Sequence, residues 1–226
     1  MKDLNGIFIT HEHDDHIRGV GVLARKHNIP LYANELTLNG LPNHVGKIDE
    51  SLKKIVNTNS IFEFGDLQVE SFAISHDAVA PVGYLFRQED LKLSIVTDLG
   101  YVSEKIKQKI RGSDAFIFEA NHDVSMLRMS RYPWSVKQRI LGDSGHLSNE
   151  ASGEALAEVI TNETQKIFLA HLSRENNLPE IAHITVKDIL NEYGITEKDI
   201  QLMKTYHDKG TVLEELKEKE KEYYSN

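Results

Sequence analysis

The sequence predicts a single α/β domain, and three observations carry that prediction. Short apolar, β-branched runs alternate along the chain with stretches of helical periodicity. No low-complexity linker or internal repeat interrupts this alternation over 226 residues, a length suited to one sizeable domain. Apolar residues make up 40% of the chain, enough to build a core.

Taken in order, the first strand is expected at residues 6–10 (GIFIT). A helix should follow from Ile17 to His27, where Ile17, Val20, Gly21 and Ala24 fall at helical spacing and Asp14 and Asp15 supply N-terminal capping chemistry. Further strands are expected at 30–33 (PLYA), 68–75 (QVESFAIS), 82–88 (VGYLFRQ), 92–97 (KLSIVT), 115–119 (AFIFE) and 166–170 (KIFLA), some of them paired antiparallel. Helices should begin near Val102, Asn149 and Pro179. The fold unit is expected to occupy residues 1–210. Residues 211–226, with the mixed-charge run EELKEKEKEYYSN, read as a charged C-terminal helix or tail.

Composition removes several function classes. The chain has no cysteine, which excludes disulfides and thiolate metal sites and fits a reducing compartment. No run approaches the roughly 18 apolar residues of a membrane span, and MKDLNGIFIT is not a signal peptide, so a cytoplasmic protein with no membrane partner is expected. The net charge of −9 argues against broad, nonspecific adhesion to nucleic acid, but leaves room for a local basic patch or a metal centre that binds phosphate.

The chemistry concentrates in HEHDDH, three histidines and three acids in six positions directly after a strand. Such groups need partners when buried, so crowding them serves packing poorly. In an extended segment residues two apart project to one side, so His11 and His13 can grip one ion while Asp15 and His16, at the turn into the helix, face a second position. Imidazole and carboxylate without thiolate are the donors of zinc first and manganese second. Other strand ends repeat the design: His76 follows SFAIS, Asp98 follows SIVT and His171 follows KIFLA. A lone histidine in such a place is ordinarily a satisfied surface residue; the convergence of separate segments argues for a metal site.

At these residues the chain resembles the metallo-β-lactamase-fold hydrolases, from residue 5 to about 200. The resemblance implies an αββα sandwich and two divalent ions. One would take His11, His13 and His76, the other Asp15, His16 and His171, and Asp98 would bridge them. Asp15 would thereby belong to the catalytic machinery as well. Members of the family usually carry further strands ahead of this motif, whereas here the chain begins at the motif's own strand. The expectation is therefore an N-terminally truncated sandwich, with either an upstream start or an unprotected sheet edge.

Two ions sharing a carboxylate would supply hydroxide at neutral pH. With two ligand carboxylates and one hydroxide, two divalent ions leave a charge of about +1, which favours an anionic substrate. A phosphodiester leaves an alkoxide that needs a proton. GHLSNEA and FIFEAN are similar to motifs of the tRNA-processing nucleases of this fold, and by that resemblance His146 is the leaving-group acid and Glu119 its orienting partner. The bland readings are a helix cap for His146 and a strand-end surface acid for Glu119. His122 also follows a strand and is placed behind the ligands or facing substrate. His27, His44, His183 and His207 read as surface histidines.

The segment LRMSRYPWSVKQRI holds Arg128, Arg131, Lys137 and Arg139 without an acid, interleaved with Tyr132 and Trp134. Cations contact phosphates and aromatics stack on bases, so this is the chain's best nucleic-acid patch. Its alternative is an amphipathic helix with Trp134 in the core. Together with THEHDDH, SHDA and TDLGYVS, this long middle motif most closely resembles the YycJ (WalJ) branch of the fold, which implies a DNA substrate and exonuclease action on duplex DNA from a 5′ end, polarity and strandedness being implied by the resemblance alone. Two rivals stay open: a small-molecule thioester or lactam hydrolase at the same ions, and an inactive metal-binding protein.

Overall fold

In the computed structural model, which describes residues 4–218, two sheets lie face to face between two layers of helices. The smaller sheet is parallel and holds β1 (Ile7–Phe8), β2 (Leu31–Ala33) and β3 (Lys53–Ile55). The larger holds β4 (Ile61–Phe64), β5 (Leu67–Ala73), β6 (Val82–Gln88), β7 (Leu91–Val96), β8 (Ala115–Glu119), β9 (Lys166–Ala170) and β10 (Gln201–Lys204), which lie side by side in reverse sequence order. Strands β4 to β7 pair antiparallel, and β7 to β10 pair parallel.

Side-chain alternation sorts the layers. Phe8 and Tyr32 of the small sheet meet Phe62, Phe64, Tyr84 and Phe86 of the large one in stacked and edge-on contacts, and Tyr84 donates to the Ile9 carbonyl at 2.9 Å. On the far side of the large sheet, Leu85, Phe116, Phe118, Ile167 and Leu169 pack against α4 (Glu104–Ile110), α7 (Asn149–Val159) and α8 (Pro179–Glu192). The small sheet's outer face is covered by α1 (Asp14–Ile17), α2 (Val20–His27) and α3 (Glu35–Gly40), through Ile17, Val20, Ala24 and Leu38. This is the αββα sandwich. No helix among the described residues is long and apolar enough to cross a membrane.

The sheet topology explains why ligands sit where they do. Strands β5, β7, β8 and β9 all run one way, because the single antiparallel strand β6 separates β5 from β7. Their carboxyl ends therefore share one edge, the usual ligand-binding edge of such sheets. His76, Asp98, Glu119 and His171 all leave from it.

Sequence expectation and fold differ in places. The helix expected from Ile17 to His27 is broken, with α1 ending at Ile17 and Gly19 capping α2. Asp14 and Asp15 lie in the first turn of α1 and do not cap it, because their side chains face His44 at 3.3 Å and His171 at 3.4 Å. Strand β3 carries no strand signal in the sequence, being three residues long with two lysines. Strand β4 joins β5 through a tight Gly65–Asp66 turn, where Gly65 adopts φ +64°. Residues 211–218 form no helix; they lie along the start of β9, with Lys166 paired to Glu214 and Gln165 bonded to the Lys217 backbone. The rest of the expected C-terminal helix, 219–226, lies outside the described residues.

Candidate metal centre and active site

The turn from β1 into α1 and the strand ends bring the expected ligands together. His11, His13 and His76 place one ring nitrogen each within 4.8 Å of one another, and Asp15, His16 and His171 do the same with their ligand atoms. Between these groups stands Asp98, its carboxylate 3.3 Å from His16 Nε2, 3.2 Å from His171 Nε2 and 3.8 Å from His76 Nε2. Asp98 also groups with His11 and His16, and again with Glu119, His146 and His171.

Strain accompanies this convergence. Asp98 and His171 leave their strands with φ +62° and +55°, a left-handed conformation that side-chain-bearing residues seldom adopt outside functional sites. Gly100 lets the loop after β7 pass close to the loop before His146, since a Cβ there would lie 2.3 Å from the Asp143 carbonyl.

Outer contacts orient the rings. Thr10 Oγ1 lies 3.0 Å from His11 Nδ1 and 3.2 Å from His16 Nδ1, so one hydroxyl aims both imidazoles. His76 Nδ1 donates to the Gly145 carbonyl at 3.2 Å, which leaves Nε2 facing His13. Asn121 donates to the His171 carbonyl at 2.9 Å, and Glu12 accepts from the Val79 backbone at 2.8 Å, pinning the His76 loop. Thr10 opens THEHDDH and Asn121 closes FIFEAN, but the sequence assigns neither a role.

The electrostatics suit cations. Burial, reinforced by His16, pushes His11 down to about 3, so its ring is neutral. Burial also lowers His76. Burial would raise Asp98, yet the facing His16, His171 and His11 imidazoles hold it well below the usual carboxylate range. His171 Nε2 holds Asp15 low as well. Burial would depress His171, but Asp15, Glu119 and Asp98 push it up to about 11. His11 Nε2 and Asp98 Oδ2 are buried without a well-formed hydrogen bond. Orphaned ligand atoms of this kind, one on a neutral ring and one on a carboxylate, fit divalent cations.

Glu119 is fully buried and fully engaged. Its Oε1 lies 2.8 Å from His146 Nδ1 and 2.9 Å from His171 Nδ1, and its Oε2 accepts from the Leu99 and Leu147 backbone at 3.1 and 3.0 Å. It is therefore no surface acid, and it holds two imidazoles where one was expected. His146 does not cap α7; Ser148 does, accepting from Ala151. The His146 Nδ1 is held by Glu119, and its ring faces a cavity of about 770 Å³ that Asp15, His16 and His171 also line.

Other expected site residues lie elsewhere. His122 is 1% exposed, has neither ring nitrogen hydrogen-bonded, and does not line the cavity; of its two expected placements, the buried one behind the ligands matches this position. Burial pushes it down to about 4, which keeps it neutral. Lys137 is buried and donates to the Arg128 and Ser130 carbonyls at 2.6 and 2.7 Å; it ties a turn together and offers no charge to a ligand. Arg139 lines the cavity but is paired through both oxygens to Asp77, beside His76. Arg128 and Arg131 are exposed. Their segment forms α5 (Val124–Met129) and α6 (Trp134–Leu141), and Trp134 is 63% exposed, not in the core. The far wall of the cavity comes from residues with no expected role: Arg18, Arg174, Tyr206 and His207. Arg174 sits three residues after His171, the one hint the sequence held.

Comparisons with known proteins agree with this architecture. Residues 1–172 match the family described as the beta-lactamase superfamily domain. The chain is 52% identical over 194 residues to exodeoxyribonuclease YycJ of Bacillus anthracis, covering 86% of this chain and 74% of that protein. It is 46% identical over 218 residues to exodeoxyribonuclease WalJ of Streptococcus pneumoniae, covering 95% and 81%. Among solved structures, the metallo-beta-lactamase fold protein YhfI of Bacillus subtilis superposes with a TM-score of 0.65 at 14% identity, over 89% of this chain and 75% of that one.

Proposed function

Because the chain belongs to the β-lactamase superfamily of metal-dependent hydrolases, in the branch of the exodeoxyribonucleases YycJ and WalJ, we propose that it cleaves the phosphodiester bonds of DNA from a 5′ end. In this reading residues 1–210 form the hydrolase unit. Two divalent ions, zinc for preference, are held by His11, His13 and His76 and by Asp15, His16 and His171, with Asp98 shared. When bound they supply Lewis acidity toward the phosphate and a nucleophile at neutral pH.

The observation that carries the reading is the His146–Glu119 pair at 2.8 Å, set on the cavity wall beside the ligands. A thioester leaves as a thiolate, whose conjugate acid has a pKa of roughly 8.5 and which departs without help. A sugar alkoxide does not, and needs a proton at the moment the bond breaks. Glu119 holds the imidazole through Nδ1, so that Nε2 is free to donate to the departing sugar oxygen. Arg18 and Arg174, on the same cavity, add positive charge for a polyanion.

The deciding experiment incubates metal-reconstituted protein with labelled DNA, labelled RNA and a generic thioester. Cleavage of DNA with progressive loss from the 5′ end is expected. Thioester turnover without DNA cleavage points to a small-molecule hydrolase, and metal binding without turnover of any substrate to an inactive protein.

Arg128 and Arg131 neutralise DNA phosphates outside the cavity. Replacing both with alanine should weaken DNA binding and reduce the slope of log K against log salt by about 0.9 for each phosphate no longer neutralised. Hydrolysis of a small phosphodiester should change little. Equal losses on both substrates would assign the segment a purely structural role.

A further inference from the structure

We propose that α6 parts the strands of a duplex end, guiding one strand into the cavity at the ligand cluster and receiving the displaced strand on its opposite face. This rests on the nuclease reading and adds the element that opens a duplex end and the path each strand takes.

The two faces of α6 differ. Val136, Arg139 and Ile140, at helical spacing, line the cavity that contains His146 and His171. Trp134 and Leu141, seven residues apart and so on one face, project on the other side and are 63% and 40% exposed. Met129, at the end of α5, is 80% exposed. Large apolar groups held in water on a helix beside an active-site cavity suggest a missing partner.

Charge identifies that partner. The chain carries −9 overall, yet no acid occurs between Asp123 and Asp143. Arg128, at the end of α5, and Arg131, in the turn that follows, are exposed and form no ion pair among the described residues. Exposed cations alternating with an aromatic and a flexible thioether match phosphates alternating with unstacked bases. The turn is also stiff, because the buried Lys137 ammonium clamps the Arg128 and Ser130 carbonyls. A stiff, apolar projection can insert at a base step as a loose one cannot.

Size decides that the strands must part. A helix with its side chains is about 10–12 Å across. Paired bases are joined by hydrogen bonds of about 3 Å. Two strands on opposite faces of α6 therefore cannot be paired at that step. Trp134, stacking on the exposed base, offsets the loss of the terminal pair.

The test compares three substrates with a common cleaved strand: a blunt duplex, the strand alone, and a duplex whose end is already forked. In Trp134→Ala and Met129→Ala the ratio of duplex to single-strand rate should fall about tenfold, and the forked end should restore it. A second readout needs no catalysis: 2-aminopurine in the terminal pair, placed on the strand that enters the cavity and so away from Trp134, should brighten when metal-free parent protein binds, and less so with Trp134→Ala. An unchanged ratio overturns the proposal, as does equal brightening in parent and variant, or loss of self-association as the variants' only effect. If the parent cuts single strands but no blunt duplex, this inference fails and the nuclease reading stands. If it cuts no DNA, both fail.

Discussion

Asp98→Ala is expected to lose most bound metal and all hydrolysis. The side chain is buried, and its carboxylate lies 3.2–3.8 Å from His171, His16 and His76, imidazoles drawn from both ligand groups. Removing it takes a donor from each group at once and leaves any bound cations facing each other without an anion between them. Alanine also tolerates the left-handed backbone at φ +62° poorly, so loss of metal could follow from local unfolding. Asp98→Asn separates the two causes, since asparagine adopts that conformation readily but carries no charge. Both variants should lose metal by elemental analysis, and Asp98→Asn should keep the parent's circular dichroism. Two metals per chain retained in Asp98→Asn would refute a shared ligand.

His146→Ala should cost roughly 10²–10⁴ in rate on DNA, the usual contribution of a general acid. The metals should stay bound, because the two histidine-rich groups are complete without it. A nitrophenolate departs without a proton, so cleavage of a nitrophenyl phosphodiester should be largely spared. The ratio of the two rates is the measurement: a ratio equal to the parent's removes His146 from the acid role, and metal loss would make it a ligand. The resemblance alone makes Glu119 the orienting partner of His146 only, so Glu119→Gln would be a milder copy of that selective loss. The geometry changes this expectation. Glu119 also holds His171 at 2.9 Å and accepts two backbone N–H groups, so Glu119→Gln should slow both substrates and weaken metal binding.

The sandwich's main strands, and the seven side chains that converge at its edge, are legible in the chain alone because both are written in local signals. A short apolar run marks a strand, and a histidine or acid immediately after it marks where the chain leaves the sheet. AFIFE and KIFLA can therefore be bounded to the residue, and His76, Asp98 and His171 found beside their strands. Which charges are available is settled only in three dimensions. Lys137 and Arg139 look alike in sequence to Arg128 and Arg131, but one is buried against two carbonyls and the other is bound to Asp77, 62 residues away in the chain. The cavity's far wall draws Arg18, Arg174, Tyr206 and His207 from three distant segments, the last two placed there by the pairing of β10 with β9. A cation's fate depends on its nearest acceptor in space, and spatial neighbours brought together by strand pairing leave no periodicity along the chain from which to read them.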